Sequence, residues 1–401
     1  MLEADKPGSA LPPAPSRGAA RVALVHDWLT GMRGGERCLE VFCELLPGAE
    51  LFTLVHVKGS VSRSIEDRPI HASFVDRLPF GRKRYRAFLP LFPLAIESFD
   101  LSRFDVVVSL SHCVAKGVLP RPDARHVCYC FTPMRYVWDM YHHYFPPERL
   151  NFLTRKIVPA AASLLRAWDS ASSSRADRIV AISEHVRKRI RKYWGREAEV
   201  IHPPVDLSRF APSRDRDGFY LMVTAFAPYK RVDLALDAFR KFGKPLKIVG
   251  SGQDEKRLRA SAPANVEFLG WRSDEEIASL YSRCRAFVFP GEEDFGITPL
   301  EAQAAGRPVV ALARGGAMET IVPHPGFFAP TDPAAPGPPT GVLFPHETAD
   351  SLLEALRWFE AHEAAFDDPA PLQANAARFS RDRFRRRIRA LLKEEGALPR
   401  E

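Results

Sequence analysis

The sequence predicts an α/β protein made of two Rossmann-like, doubly wound halves that face a cleft. Three observations carry this. Short β-branched runs alternate with segments of helical spacing along nearly the whole chain. The alternation breaks once, at the linker-like "APSRDRDG" (Ala211–Gly218), and then restarts. The 401 residues exceed what one core usually organises.

In order, "RVALVHDW" reads as a buried strand, "LTGMRGG" as a glycine loop and "ERCLEVFCELL" as a helix, the opening of a Rossmann-like unit. "AELFTLVH", "FDVVVSLS" and "RHVCYCF" read as further strands. "RADRIVAIS" and "EHVRKRIRKYWG" form a strand and a helix, and "AEVIHPPVD" a strand ending in prolines. Beyond the linker come strands "FYLMVTAF", "LKIVGSG", "VEFLGW", "AFVFP" and "PVVALA", each followed by a helical segment. A proline-rich loop, "APTDPAAPGPPTGVLF", leads to a last short strand, and two helices close the chain. The predicted boundaries are 1–20 for a Pro/Ala-rich disordered tail, 21–210 and 211–375 for the two halves, and 376–401 for a helix returning to the first half. Ligands of such sheets bind beyond the C-terminal strand ends, so a cleft between two of them is the natural site.

Composition is that of an ordinary globular protein, 46% hydrophobic and 26% charged, with net charge +8. The positive balance suits anionic partners, although no nucleic-acid recognition module is visible. The six cysteines form no C-x-x-C pair, which argues against structural zinc and fits a reducing compartment. No signal peptide is apparent and no apolar run approaches the roughly 20 residues that span a bilayer. A cytoplasmic protein is expected.

The motifs cluster at strand ends. In "PGEEDFGITPLEAQAAG" (Pro290–Gly306), Thr298-x-x-Glu301 has the form of a helix capping box with Pro299 at the first helical position. That leaves Glu293 unexplained. A carboxylate there can accept hydrogen bonds from sugar hydroxyls, and the backbone N–H groups of Phe295, Gly296 and Ile297 lie at a positive helix end. Upstream, in "TAFAPYKRVDLALDAF", Lys230 and Arg231 open a helix, where the macrodipole mildly disfavours cations unless an anion binds. In the first half, Gly34 and Gly35 join a strand to a helix, with His26 and Asp27 at the strand end. His112 lies just past another strand end, and Lys116 follows it; a phosphate or the surface suits that lysine equally. The aromatic stretch "CYCFTPMRYVWDMYHHYFPPERL", with Arg135 and Tyr136, reads either as a hydrophobic cap or as an acceptor-binding surface. "GRKRYRAFLPLFPL" (Gly81–Leu94) joins cations to an apolar segment in the manner of a membrane-surface element. A basic helix, "RDRFRRRIRALLK", stands near the C-terminus, and a membrane dock would suit both.

Glu293-x7-Glu301, set in "FPGEEDFGITPLEAQAAGRPVVA", resembles the E-x7-E signature of the family 4 retaining glycosyltransferases of GT-B fold. The resemblance to the family extends from about Arg21 to Leu392, and the wording "APYKRVD" resembles its O-antigen mannosyltransferase branch. The resemblance implies that Glu293 contacts the donor sugar, Glu301 the ribose and Lys230 the diphosphate. It implies that Gly34 and Gly35 border the donor phosphate and the acceptor, and that His112 acts near the reacting sugar; Phe295, Gly296, Ile297 and Thr298 are further donor-binding candidates. His26 and Asp27 suit acceptor hydroxyls and packing against the glycine loop about equally, and Arg135 and Tyr136 stand as acceptor-binding candidates. The family pattern R-x4-K is broken here, with Ala225 at the arginine position and Arg231 as a candidate second cation. The implied reaction is metal-independent and needs no cofactor. The donor is a nucleotide-diphosphate sugar, GDP-mannose favoured, and the acceptor a glycan or polyprenyl-diphosphate-linked saccharide of surface polysaccharide assembly. The implied place is the cytoplasm or the inner membrane face. A silent nucleotide-sugar-binding protein and a nucleotide-sugar epimerase are the alternatives. A nicotinamide oxidoreductase is disfavoured because "GMRGG" does not match G-x-G-x-x-G.

Overall fold

A computed structural model describes residues 20–146, 151–213, 215–328 and 337–399. The expected tail, apart from Ala20, and most of the proline-rich loop before the last strand lie outside the described residues.

Two parallel sheets form the frame. The first contains β1 (Val22–His26), β2 (Glu50–Thr53), β3 (Ile70–Ala72), β4 (Val106–Ser111), β5 (Arg125–Cys130), β6 (Arg178–Ala181) and β7 (Glu199–Val200), in the order 3-2-1-4-5-6-7. The second contains β8 (Tyr220–Val223), β9 (Leu246–Val249), β10 (Val266–Gly270), β11 (Phe287–Phe289), β12 (Val309–Leu312) and β13 (Gly341–Phe344), in the order 10-9-8-11-12-13. Both are doubly wound. Strand order reverses between β1 and β4 in one and between β8 and β11 in the other, and crevices open at those points. The central strands are buried on both faces, which is why they read as continuous apolar runs such as "VVVSLS".

The two faces of the first sheet carry separate cores. Leu24, Val108 and Leu110 point to one, shared with helices Gly34–Leu45 and Glu184–Trp194. Ala23, Val25 and Val107 point to the other, shared with Tyr85, Phe92, Ile96 and Leu165. The final helix, Arg381–Glu394, joins the first core through Phe384, Ile388, Leu391 and Leu392, and Phe384 packs on Phe42 and Tyr129. The chain therefore crosses between the halves twice. The Val205–Ser380 bridge ties the crossings together.

Helix Phe152–Ser172, 21 residues long, has no counterpart in the sequence expectations because Pro159 sits inside it and reads as a breaker. Its Leu165 and Ala162 join the second core, and that burial holds the helix through the proline. Strand β3 is also absent from them. A three-residue edge strand carries too little pattern to see.

Candidate active site

The site is assembled from the two strand-order reversals. On the first sheet, β1 ends at His26–Asp27 and β4 runs into His112. Asp27 is fully buried, and its carboxylate accepts four backbone N–H groups: His112 (2.7 Å), Cys113 (2.9 Å), Val114 (2.7 Å) and Ala115 (2.8 Å). His112 Nδ1 lies 3.1 Å from Asp27 Oδ2, and Trp28 meets the ring edge-on at 4.3 Å. Burial holds the His112 pKa below the ordinary histidine value, outweighing the pull of Asp27, with His26 adding to the lowering. Nδ1 thus faces the Asp27 carboxylate, which favours a proton on that nitrogen.

His26 and Asp27 were candidate acceptor contacts, and the structure corrects both. His26 is fully buried, its ring nitrogens have no hydrogen-bond partner among the described residues, and Nε2 is 3.6 Å from Glu36 Oε1. Asp27 is an organiser of the His112 turn. Lys116 is also internal: its ammonium pairs with Asp169 at 2.6 Å, and Asp169 accepts the indole N–H groups of Trp138 and Trp194 at 2.8 Å each. Tyr136 turns its hydroxyl to Cys113 Sγ at 2.8 Å rather than to open space.

On the second sheet, β8 leads into a turn at Pro228–Lys230 and β11 into the Glu293 loop. The Lys230 ammonium forms an ion pair with Glu293 Oε1. A Cβ at Gly291 would sit 2.5 Å from Tyr229 O and 2.9 Å from Lys230 Cα, so only glycine lets these two loops touch. Gly316 does the same from the other side. Its N–H donates to Glu293 O at 2.8 Å, and a Cβ there would lie 2.2 Å from Phe295 Cα. Arg231, the candidate second cation, is held elsewhere by Asp233 (3.2 Å) and Glu347.

Helix Ile297–Ala304 starts from Gly296 at φ +86° without a side-chain cap. The capping box read from Thr298 and Glu301 does not form, because both residues already lie within the helix, and Pro299 is its third residue. Glu301 instead accepts the Tyr281 hydroxyl at 3.1 Å, and burial raises its pKa. The starts of this helix and of Gly34–Leu45 converge across the cleft: a Cβ on Gly34 would be 2.9 Å from Ile297 Cδ1. Two positive helix ends thus face each other across the cleft.

Three residues without a sequence expectation close the cleft. Asp294, next to Glu293, accepts from Arg189 at 2.6 Å and pairs with Arg135, and its carbonyl accepts Ser183 Oγ at 2.6 Å. Arg189 also donates to Thr132 (2.7 Å) and Asp139 (2.5 Å). Glu319 caps the start of helix Glu184–Trp194 from the opposite half, accepting the N–H groups of Glu184 (2.8 Å) and His185 (2.9 Å). A signal existed for Arg189: it occupies the apolar stripe with Val186 and Ile190, where an arginine needs a buried partner. Arg135, expected on the acceptor side, sends its guanidinium to the Glu293 loop instead.

The family described as "Glycosyltransferase Family 4" matches residues 32–209, and "Glycosyl transferases group 1" matches residues 206–379. The chain is 39% identical over 106 residues to the O-antigen chain mannosyltransferase C of Escherichia coli, covering 25% of this chain and 29% of that protein. It is 34% identical over 179 residues to a GDP-mannose-dependent alpha-mannosyltransferase of Mycobacterium tuberculosis, covering 42% and 47%. The matches thus span about half or less of these relatives. In fold, the chain is similar to Anabaena HepE in complex with UDP and glucose, with a TM-score of 0.66 and 16% identity over 93% of this chain and 99% of that one. Two glycosyltransferase domains in this order, on facing doubly wound sheets, make the chain a member of the group 1, family 4 glycosyltransferases of GT-B fold.

Proposed function

We propose that this glycosyltransferase moves a hexose, mannose foremost, from a nucleotide-diphosphate sugar to a glycan or polyprenyl-diphosphate-linked acceptor in surface polysaccharide assembly, with retention at the anomeric carbon. The observation that carries the reading is the meeting of two strand-order reversals. Lys230, Glu293 and Glu301 stand on one wall and the Asp27-held His112 on the other. GDP is favoured as the nucleotide by the GDP-mannose-dependent relative.

In this reading the diphosphate lies between Lys230 and the two helix starts, Glu301 takes the ribose hydroxyls and Glu293 those of the sugar. The anomeric C–O bond breaks with its electron pair passing to the diphosphate oxygen. The acceptor hydroxyl oxygen bonds to the anomeric carbon on the same face, and its proton passes to the departing phosphate. Lys230 and the helix-end N–H groups stabilise the charge that develops. No cofactor enters the scheme. The Asp294 and Glu319 contacts hold the halves together and limit access of water.

A membrane contact belongs to the same proposal. Phe80 is 70% exposed and Leu94 61%, beside the exposed cations Lys83, Arg84 and Arg86. Helix Phe152–Ser172 adds Phe152 at 77% and Leu164 at 74%. Both segments share the core on one face of the first sheet, whereas the basic final helix packs on the opposite face. The two basic stretches therefore face opposite ways, and the apolar face is the dock. Among the described residues no helix is long and apolar enough to cross a membrane.

The test is a donor panel. Purified protein is mixed with GDP-, UDP- and ADP-sugars, and nucleoside diphosphate release is followed with and without a lipid-extract acceptor, beside Glu293→Ala. Release from one donor, raised by acceptor and lost in the variant, supports the reading. Failure to bind any donor overturns it.

A further inference from the structure

A departing diphosphate carries more charge than one ammonium balances, and Lys230 is the cation paired with Glu293 among the described residues. Ala225 has no charge, and Arg231 is turned to Asp233 and Glu347. Arg135, from the opposite half, reaches the same place. Its guanidinium carbon lies 5.2 Å from the centre of the Tyr229 ring, and the Lys230 ammonium lies 5.1 Å from the same centre. It pairs with Asp294, the neighbour of Glu293, and its charge acts on the His112 ring. Tyr229 is itself positioned from the first half by Tyr144, whose ring stacks on it at 6.0 Å and 20°. Asp294 retains Arg189 as a second partner at 2.6 Å, so Arg135 can leave it without stranding a buried carboxylate.

We infer that Arg135 provides the second cation for the donor diphosphate, reaching it across the cleft from the first half. This rests on the nucleotide-sugar reading above. It couples chemistry to closure: with the halves apart the leaving group meets Lys230 alone, and only the closed form presents both charges. As the anomeric C–O bond breaks and its electron pair moves onto the diphosphate, the planar fork of Arg135 receives oxygens that Lys230 alone holds loosely.

The test compares GDP, UDP and ADP with GMP, UMP and AMP as ligands of wild type, Arg135→Gln and Arg135→Lys, by calorimetric titration. Arg135→Gln is expected to lose about tenfold to a hundredfold in affinity for the diphosphate that wild type binds, and less than about twofold for the matching monophosphate. Arg135→Lys is expected to fall between, losing about threefold to tenfold. In turnover, kcat drops more than KM rises. Should Arg135→Gln fail to fold, Arg135→Lys decides alone, and undiminished diphosphate affinity in it overturns the inference. Equal losses for monophosphate and diphosphate, or no loss for either, also overturn it and leave the transferase reading standing. A wild type that binds no nucleoside diphosphate overturns both.

Discussion

The carboxylate of Asp27 and the imidazole of His112, 85 residues apart in the chain, form one unit: the acid receives the backbone of residues 112–115 and stands 3.1 Å from His112 Nδ1. Asp27→Asn removes charge-assisted bonds to buried N–H groups and is expected to cost roughly 2–4 kcal/mol of stability. His112→Gln leaves the turn intact and is expected to change stability by less than about 1 kcal/mol while lowering turnover about a hundredfold. Urea unfolding beside donor turnover separates the two.

Lys230 and Glu293 are predicted to be energetically coupled. Glu293→Gln and Lys230→Gln each lower turnover, and the double variant loses less than their sum by about 0.5–3 kcal/mol. A double-mutant cycle on kcat/KM measures this. Full additivity would mean that the ion pair does not persist in the working enzyme.

Gly316→Ala is predicted to be among the most damaging single-methyl changes in the second half. The added carbon would meet the Phe295 backbone at 2.2 Å, and backbone cannot move aside as a side-chain tip can. The Glu293 loop shifts as a whole, and nucleotide-sugar binding falls by tenfold or more, on the order of 1.4 kcal/mol. Gly34→Ala meets only the flexible end of Ile297 and is expected to be milder. Calorimetric titration of both variants checks the order.

Stability is predicted to fall below neutral pH through His126. Burial pushes this histidine down to about 4, while its ring bonds Ser109 Oγ at 2.8 Å and the Arg175 carbonyl at 3.1 Å. A base with a depressed folded pKa contributes stability that is present above its unfolded value, near 6.5, and lost as pH falls toward 4. The contribution is roughly 3 kcal/mol. Urea unfolding at pH 7.5 and 4.5 should show the loss, and His126→Gln should flatten the slope.

Phe80→Ser with Leu94→Ser is predicted to abolish co-sedimentation with vesicles containing an anionic lipid and to leave donor turnover on a soluble acceptor unchanged. Replacing Arg385 and Arg386, on the exposed side of the final helix, should change sedimentation little. The reverse pattern would assign the membrane to the other face of the sheet.

Much of the fold was legible because parallel strands buried on both faces must be continuous apolar runs, and "VVVSLS" or "PVVALA" has few other readings. Helix Phe152–Ser172 was hidden by Pro159, whose local penalty is outweighed by burial that local pattern does not show. The Thr298–Glu301 capping box was a fair local reading, overturned because Gly296 starts the helix two residues before Thr298. The placing of Glu293, Lys230 and His112 at strand ends was readable. Whether His26 and Asp27 faced the cleft or the interior was not, since a strand end offers both.

The sequence by itself determined the family, the two sheets and which charged residues stand at their ends, because strand pattern and turn chemistry are local. Only the tertiary structure decided who partners whom. Asp294 meets Arg189 across 105 residues, Lys116 is buried on Asp169, and Arg231 is taken by Glu347 while Arg135 arrives from the other half. Buried charges find their partners through folding, when desolvation makes each unpaired one costly, and nothing in the local sequence records which pairing that will be.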